Sequence, residues 1–441
     1  MRLLDRPGAR LGISTFILFV GWASDSVRNA IGWWGFGVVV LFMVLGSSLL
    51  LIRSRRRLTL NRIPLPLIAL LGLAVLSIAW SYYRLSSVLG VSLTILTVAC
   101  GVAVALSLSW PELLRVLGWV FRAILGLSYL FELFVAIVIR HPVFPIWVAA
   151  EDRVHPAKLL YWSRDLLFDG GKIQGIVGNS SLLAMVSLIA LIVFTIQLLS
   201  RTVTRVGGVF WVLVAAGTVA LTRSATIIIG LAVVLLVTAA VLIVRRAGGG
   251  RRGIIARVGI LVVLAAGAVL AVIFRTPLLG LLGKSADFTG RIGIWDAVIG
   301  LAQQRPAFGW GWISYWVPWA PPFDHLIVRG GVQVLHAHNA WLDVWLQLGI
   351  LGLVVFGALV LSTLVRSWQH AVDRELVTRS GGGLLTARSL LPLLVLCAQL
   401  VQSLAESRIL IEGGMMLLVI WAVKTKAHDE PVPEASATLK P

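Results

Sequence analysis

The run ATIIIGLAVVLLVTAAVLIV, residues 225–244, decides the fold class, because it carries no charge along its whole length. A helix that crosses the hydrocarbon core of a bilayer needs about 20 apolar residues. No water reaches that layer, so the backbone must satisfy its own hydrogen bonds, and a helix does so within one segment. A second apolar stretch, 206–222, ends just before it at Thr222-Arg223-Ser224. Taken as one helix, 206–244 would be roughly 58 Å long against a core of about 30 Å, so two spans joined by a tight turn at Arg223 are expected.

The same pattern recurs along the chain of 441 residues, 59% of them hydrophobic and 13% charged. Hydropathy places spans near 11–24, 30–52, 63–80, 86–109, 116–139, 173–199, 206–222, 225–244, 258–274, 340–365, 389–404 and 409–423. The expectation is an all-α integral membrane protein of about twelve transmembrane helices. Residues 1–274 carry nine of them, with a loop at 140–172. A long loop over 275–339 holds a short amphipathic helix, 340–426 carries three more spans, and the polar, proline-containing tail 427–441 reads as disordered. Met1 to Arg10 and the apolar run behind it have only a weak small-x-small cleavage site, Gly21-Trp22-Ala23, and are expected to remain as a first span.

The formal charge of +19 does not point to nucleic acid in such a chain, because basic residues collect in cytoplasmic loops. Placing RSRRR (53–57) and RRAGGGRR (245–252) inside puts both termini in the cytoplasm and turns the two long loops outward. Cys100 and Cys397 both lie in apolar runs, which argues against a disulfide or a metal site. There is no phosphate-binding glycine loop, dinucleotide fingerprint or zinc spacing. Glu151-Asp152 is the one adjacent acidic pair in the outer loops, so neither a cofactor nor a metal is expected.

The polar groups that remain are few. HNAWLDVWLQLGILG (338–352) sets His338 and Asn339 at the mouth of the tenth span, and helical spacing would put His338, Leu342, Trp345, Gly349 and Gly352 on one face. Glycines on that face would let a neighbouring helix approach closely. His338 is either an interfacial polar residue or a base, since imidazole titrates near neutrality. His336 is a bystander or a second base. In TGRIGIWDAVIGLAQQ, residues Ile292, Trp295, Ile299 and Ala302 recur at helical spacing, with Thr289 as cap, Pro306 as stop and Arg291 in the first turn. A cation there opposes the helix dipole, a conflict that a docked anion removes, although Asp287 or lipid headgroups could serve as well. Arg223 either snorkels to headgroups or meets an anion.

Three weaker features remain. Asn179, early in the sixth span, lines a cavity or packs helices. Glu406, in SLAESRIL, orients a basic side chain or pairs with Arg408. The aromatic run Phe308, Trp310, Trp312, Tyr315, Trp316, Trp319 and Phe323 stacks on sugars or forms an interfacial belt.

The order His338, Asn339, nine residues, Gly349, two residues, Gly352 resembles the signature of the O-antigen ligase and polysaccharide polymerase superfamily. LTRSATIIIG and TGRIGIWDAVIGLAQQRPAFGWG look like that family's two arginine segments. The resemblance is loose over the whole membrane architecture and specific over 222–352. It implies a GT-C-like glycosyltransferase of the bacterial cytoplasmic membrane with its site on the outer face. The donor is a glycan on a polyprenyl diphosphate, and the acceptor a hydroxyl of a glycan, lipid or wall polymer. His338 would be the base, with Arg223 and Arg291 on the diphosphate. Whether such a chain is a ligase or a polymerase stays open. The competing reading is a twelve-span transporter or flippase. Glu132, an acid within the fifth span, is its clearest support, while unequal loop lengths in the two halves weigh against it.

Overall fold

The computed structural model describes residues 7–154, 156–248, 250–260, 291–324, 326–329, 331–372 and 387–427. Helices α1 (Pro7–Trp22), α2 (Ser24–Arg53), α3 (Leu65–Ser77), α4 (Arg84–Ser107) and α5 (Trp110–Phe134) precede the first long loop. After it come α6 (Ser180–Leu199), α7 (Arg205–Thr222), α8 (Ala225–Ala247), α9 (Arg291–Ala302), α10 (Ala340–Val372), α11 (Leu391–Ser403) and α12 (Glu412–Ala427). Among the described residues, the strands are one antiparallel pair, Val328–Arg329 with Val332–Gln333. The chain is an all-α, multi-pass membrane protein: α2, α4 to α8 and α10 are long and apolar enough to cross a bilayer. A helix stands at every expected span but the ninth, most of which lies outside the described residues. Asp287, Thr289 and the tail from 428 lie outside them too.

Two helices form the interior. Helix α12 is buried without interruption from Gly413 to Thr425 and packs on α4, α10 and α1. Helix α6, whose apolar window is 78% buried, packs on α5, α7 and α11. Peripheral helices instead turn large apolar side chains outward, as Trp34, Leu41 and Phe42 of α2 and Leu235 and Leu236 of α8 do. A surface of that kind is a lipid contact.

Glycine interrupts two helices. Gly32 (φ 71°) detaches the first turns of α2, and Gly349 (φ 68°) breaks α10. The freed backbone at the second break is paired by a loop and not, as the spacing suggested, by a close helix. Trp310 and Gly311 donate to the Leu346 and Gln347 carbonyls (3.0 and 2.9 Å), and Ile350 donates to the Pro306 carbonyl (2.8 Å). A Cβ on Gly349 would stand 2.1 Å from the Ala307 carbonyl oxygen. Gly352 is needed for a different reason: its Cβ would strike Leu348 of its own kinked helix at 2.3 Å.

The same docking corrects the reading of the aromatic run. Trp312, Trp316 and Phe323 are buried, with Trp316 and Phe323 stacked at 5.5 Å, so they build a core rather than meet sugar or lipid. Only Phe308 and Trp319 of the seven are strongly exposed. That core turns α9 as well: Ile294, Val298 and Leu301 face it, and Ile292 points outward, against the spacing-based expectation.

The loop after α5 also runs further than expected, to Asn179, because Glu132 anchors its far end. The Glu132 carboxylate accepts from Gln174 N (2.9 Å), Gly175 N (2.7 Å) and Ser163 Oγ (2.9 Å). The acid that favoured transport is therefore a loop clasp with both oxygens engaged.

Two stability outcomes follow from these contacts. Gly349→Ala combines left-handed strain with a backbone clash and should lower the unfolding temperature in detergent far more than Gly352→Ala. Glu132→Leu strands three buried donors at about 1–3 kcal/mol each, and limited proteolysis should then cut within 140–179, whereas Glu132→Gln should remain resistant.

Candidate active site

Four short stretches of chain converge at the mouth of α10. Asn179 is not in the sixth span but is its cap, its Oδ1 accepting from Ser181 N and Leu182 N (2.8 and 3.1 Å). Asn339 does the same for α10, accepting from Trp341 N and Leu342 N (3.0 and 3.2 Å). Both side chains satisfy helix-start donors that would otherwise go unmet. His338 therefore precedes the helix and does not share a face with Gly349. It sits in the left-handed region (φ 48°), sparsely populated for a side chain of this size. Its backbone N–H donates to His336 Nδ1 at 3.1 Å, and the two rings lie 4.0 Å apart.

The histidine is oriented by an acid that comes from the turn between α11 and α12. His338 Nδ1 lies 2.9 Å from Glu406 Oε2, while Glu406 Oε1 accepts from Arg291 Nη2 at 2.8 Å. Of the two sequence alternatives for Glu406 the first is the observed one, and Arg408 pairs elsewhere. Because a carboxylate faces Nδ1, that nitrogen carries the proton, and Nε2 keeps its lone pair. His338 and His336 both line a cavity of about 570 Å³, which Asn179 also borders.

Asp343 went unnoticed in the sequence although it lies inside the motif. Its Oδ2 accepts from Ala337 N (3.1 Å) and from the Ser407 hydroxyl, the immediate neighbours of His338 and Glu406. One buried carboxylate thus ties together the two segments that must stay in register. A lone acid in the first turn of a span was the available signal.

A second unforeseen feature is a closed ring of charge on the cavity wall. Arg28 donates to Asp25 and to Glu412 Oε1 (3.1 Å), and Arg408 donates to Glu412 Oε2 (2.7 Å) and Asp25 Oδ2 (2.8 Å). Arg223, by contrast, is separate from this cavity. It holds the left-handed end of α7 (φ 47°), is exposed, and its side chain makes no hydrogen bond or ion pair with a described residue. Its guanidinium comes within 3.7 Å of the space a Cβ on Gly170 would take, so it lies beside the 140–179 loop.

His336, His338 and Glu406 also present ligand atoms within 4.8 Å of one another, the spacing of a metal site. The contacts fit protons better. Both Glu406 oxygens are engaged by cationic or N–H donors, and His336 Nδ1 already accepts an N–H. A divalent ion would have to displace each of them and stand beside Arg291.

Charge states follow from the same contacts. Burial, then the neighbouring His338 imidazole, lowers the His336 pKa to about 3. Burial would raise Glu406, but the His338 hydrogen bond and the cationic neighbours outweigh it and hold the carboxyl at about 2. An unfolded histidine protonates near pH 6.5, so the unfolded chain takes up that proton first, and stability falls as pH drops below about 6.5. Glu406 has the same sign lower down, its contribution being lost from about pH 4.3 toward 2. His336→Asn keeps an acceptor for the His338 N–H but cannot titrate. Its unfolding temperature should therefore fall less steeply than wild type between pH 6.5 and 5, as scanning fluorimetry in detergent will report.

The comparisons with known proteins bear on this region. The family model described as O-antigen ligase matches residues 209–357, from α7 into α10, a span that contains Arg223, Arg291 and His338. The exopolysaccharide production protein ExoQ of Rhizobium meliloti (strain 1021) is 30% identical over 81 residues. That alignment spans 18% of this chain and 19% of the relative. The segment from α7 into α10 is thus similar to the O-antigen ligase family, and it lies within a multi-pass helical fold.

Proposed function

We propose that this protein is a membrane glycosyltransferase that moves a glycan from a polyprenyl diphosphate to an acceptor hydroxyl on the outer face of the bacterial cytoplasmic membrane. The observation that carries the reading is the chain of contacts Arg291–Glu406–His338 at the edge of a cavity. It leaves His338 Nε2 as an available base with a carboxylate behind it. In the proposed step the acceptor hydroxyl gives its proton to Nε2 while its oxygen bonds to the anomeric carbon. The bond from that carbon to the diphosphate oxygen breaks, and the diphosphate departs with the electron pair. A single direct displacement inverts the anomeric centre.

Arg223 and Arg291 are assigned to the leaving diphosphate. Arg223 suits that role because it is exposed and has no ion-pair partner among the described residues. Arg291 spends one N–H on Glu406 and has others left, so it can serve base and leaving group together. A diphosphate needs no activation beyond neutralisation, which two guanidinium groups supply without a divalent ion.

Purified protein should then transfer glycan in detergent without nucleotide, ion gradient or added metal. Activity abolished by a chelator and restored by a metal would instead favour a metal at His336, His338 and Glu406. His338→Ala should abolish transfer with donor binding retained. Glu406→Gln should lower kcat by about ten- to a hundredfold at unchanged donor KM, the cost of one charge-assisted contact. Arg223→Ala and Arg291→Ala should raise donor KM as well. Lysine should rescue each only in part, having charge but no planar fork. An effect of Arg291→Ala on kcat alone would confine that residue to holding Glu406.

Sidedness is tested separately. Cysteine placed at Phe168 should label with an impermeant thiol reagent in intact cells, and cysteine at Leu60 should not; both positions are well exposed.

A further inference from the structure

The charge ring on the cavity wall has no part in the transfer chemistry described above, yet it faces the same space as His338. Its composition restricts what it can bind. Two guanidinium groups and two carboxylates cancel, and each carboxylate is shared between both arginines. The ring has no net positive charge to draw a phosphate, and its two carboxylates would stand beside any anion that entered. The ring is not empty of hydrogen bonds to give, however. Each guanidinium has five N–H donors and uses two here, and each carboxylate has about four acceptor positions and uses two. The leftover set is mixed, with donors and acceptors at fixed positions.

A mixed set matches a group that both gives and takes, and a sugar hydroxyl does both. Beside the ring, Ser24 is 2% exposed and borders the cavity, and its Oγ has no hydrogen-bond partner among the described residues. A buried hydroxyl without a partner costs free energy unless a ligand completes it. Aromatic faces stand close by, with Tyr315 and Trp33 on the same lining and the Arg28 guanidinium 5.3 Å above the Trp33 ring. The cavity, at about 570 Å³, is in the range of small-molecule sites.

We infer that Ser24, Asp25, Arg28, Arg408 and Glu412 form a subsite for an uncharged sugar ring of the acceptor, in the cavity that His338 also lines. The assignment to the acceptor rests on the proposed role of His338 as the base that takes the acceptor's proton. The subsite offers a phosphate no net positive charge. The donor's diphosphate is thereby left to Arg291 and to Arg223, which stands apart from this wall.

The test uses the purified full chain in detergent, with lipid-linked donor and acceptor glycan from the same cells. Ser24→Ala removes an unsatisfied hydroxyl, so a purely structural role predicts no loss. The subsite predicts an acceptor KM raised about two- to tenfold, the worth of one hydrogen bond, at unchanged donor KM and kcat. Asp25→Asn turns the ring net positive, and inorganic pyrophosphate, without effect on the wild type at the acceptor site, should become a competitive inhibitor against acceptor. Pyrophosphate competing with acceptor in the wild type would overturn the inference, and so would an unchanged acceptor KM in Ser24→Ala.

If the wild type transfers no glycan, the function proposed above fails, and the subsite is read by binding instead. The probe is the neutral oligosaccharide released by mild acid from the cell's lipid-linked glycans and labelled by tritiated borohydride. Saturable binding that weakens in Ser24→Ala sustains the subsite, and absence of binding to the wild type removes it.

Discussion

The site depends on one shared carboxylate. Glu406 takes the His338 imidazole on one oxygen and the Arg291 guanidinium on the other, and these three residues come from the start of α9, the mouth of α10 and the turn before α12. Sharing fixes the imidazole tautomer and joins the histidine to a cation. It also makes the site sensitive to any motion between those elements. The fold answers with Asp343, whose carboxylate ties Ala337 to Ser407, and with His336, which accepts the backbone N–H of His338 at its positive φ. The strain at His338 is thus offset by contacts to its own N–H and to that of Ala337.

Two broken helices make room for this arrangement. A continuous span presents no free backbone groups and only its own side chains to the membrane. Gly349 opens α10 so that the 306–311 loop can pair with it, which carries the chain past Trp310 to its docking on Gln347, where Oε1 accepts from Ile313 and Ser314. Gly32 detaches the first turns of α2 in the same way, and those turns carry Asp25 and Arg28. In both places polar residues are brought to a cavity without taking charge into the lipid-facing part of a span.

Much of the membrane architecture was legible from hydropathy, since spans must be apolar over about 20 residues whatever they pack against. The boundaries slipped where a polar contact overrode apolarity. Residues 173–179 read as span but are loop, because Glu132 binds their backbone, and Asn179 caps the helix it seemed to lie within. His338, Arg291 and Glu406 were each visible as polar residues in unusual places. Asp25, Arg28, Arg408 and Glu412 were not visible as a unit, because nothing in a linear pattern joins residues nearly four hundred positions apart.

The sequence by itself determined the class of protein, the places where helices must form, and the handful of side chains whose burial needs a reason. These are local consequences of solvent: every residue meets the bilayer or water on its own terms, and periodicity records the result. Only the tertiary structure decided which arginine stands behind the histidine, that Glu406 turns to His338 and not to Arg408, and that two more arginines spend their charge on two acids. Such choices turn on distances of about 3 Å between segments remote in the chain, where electrostatic and hydrogen-bond energies change within a single bond length.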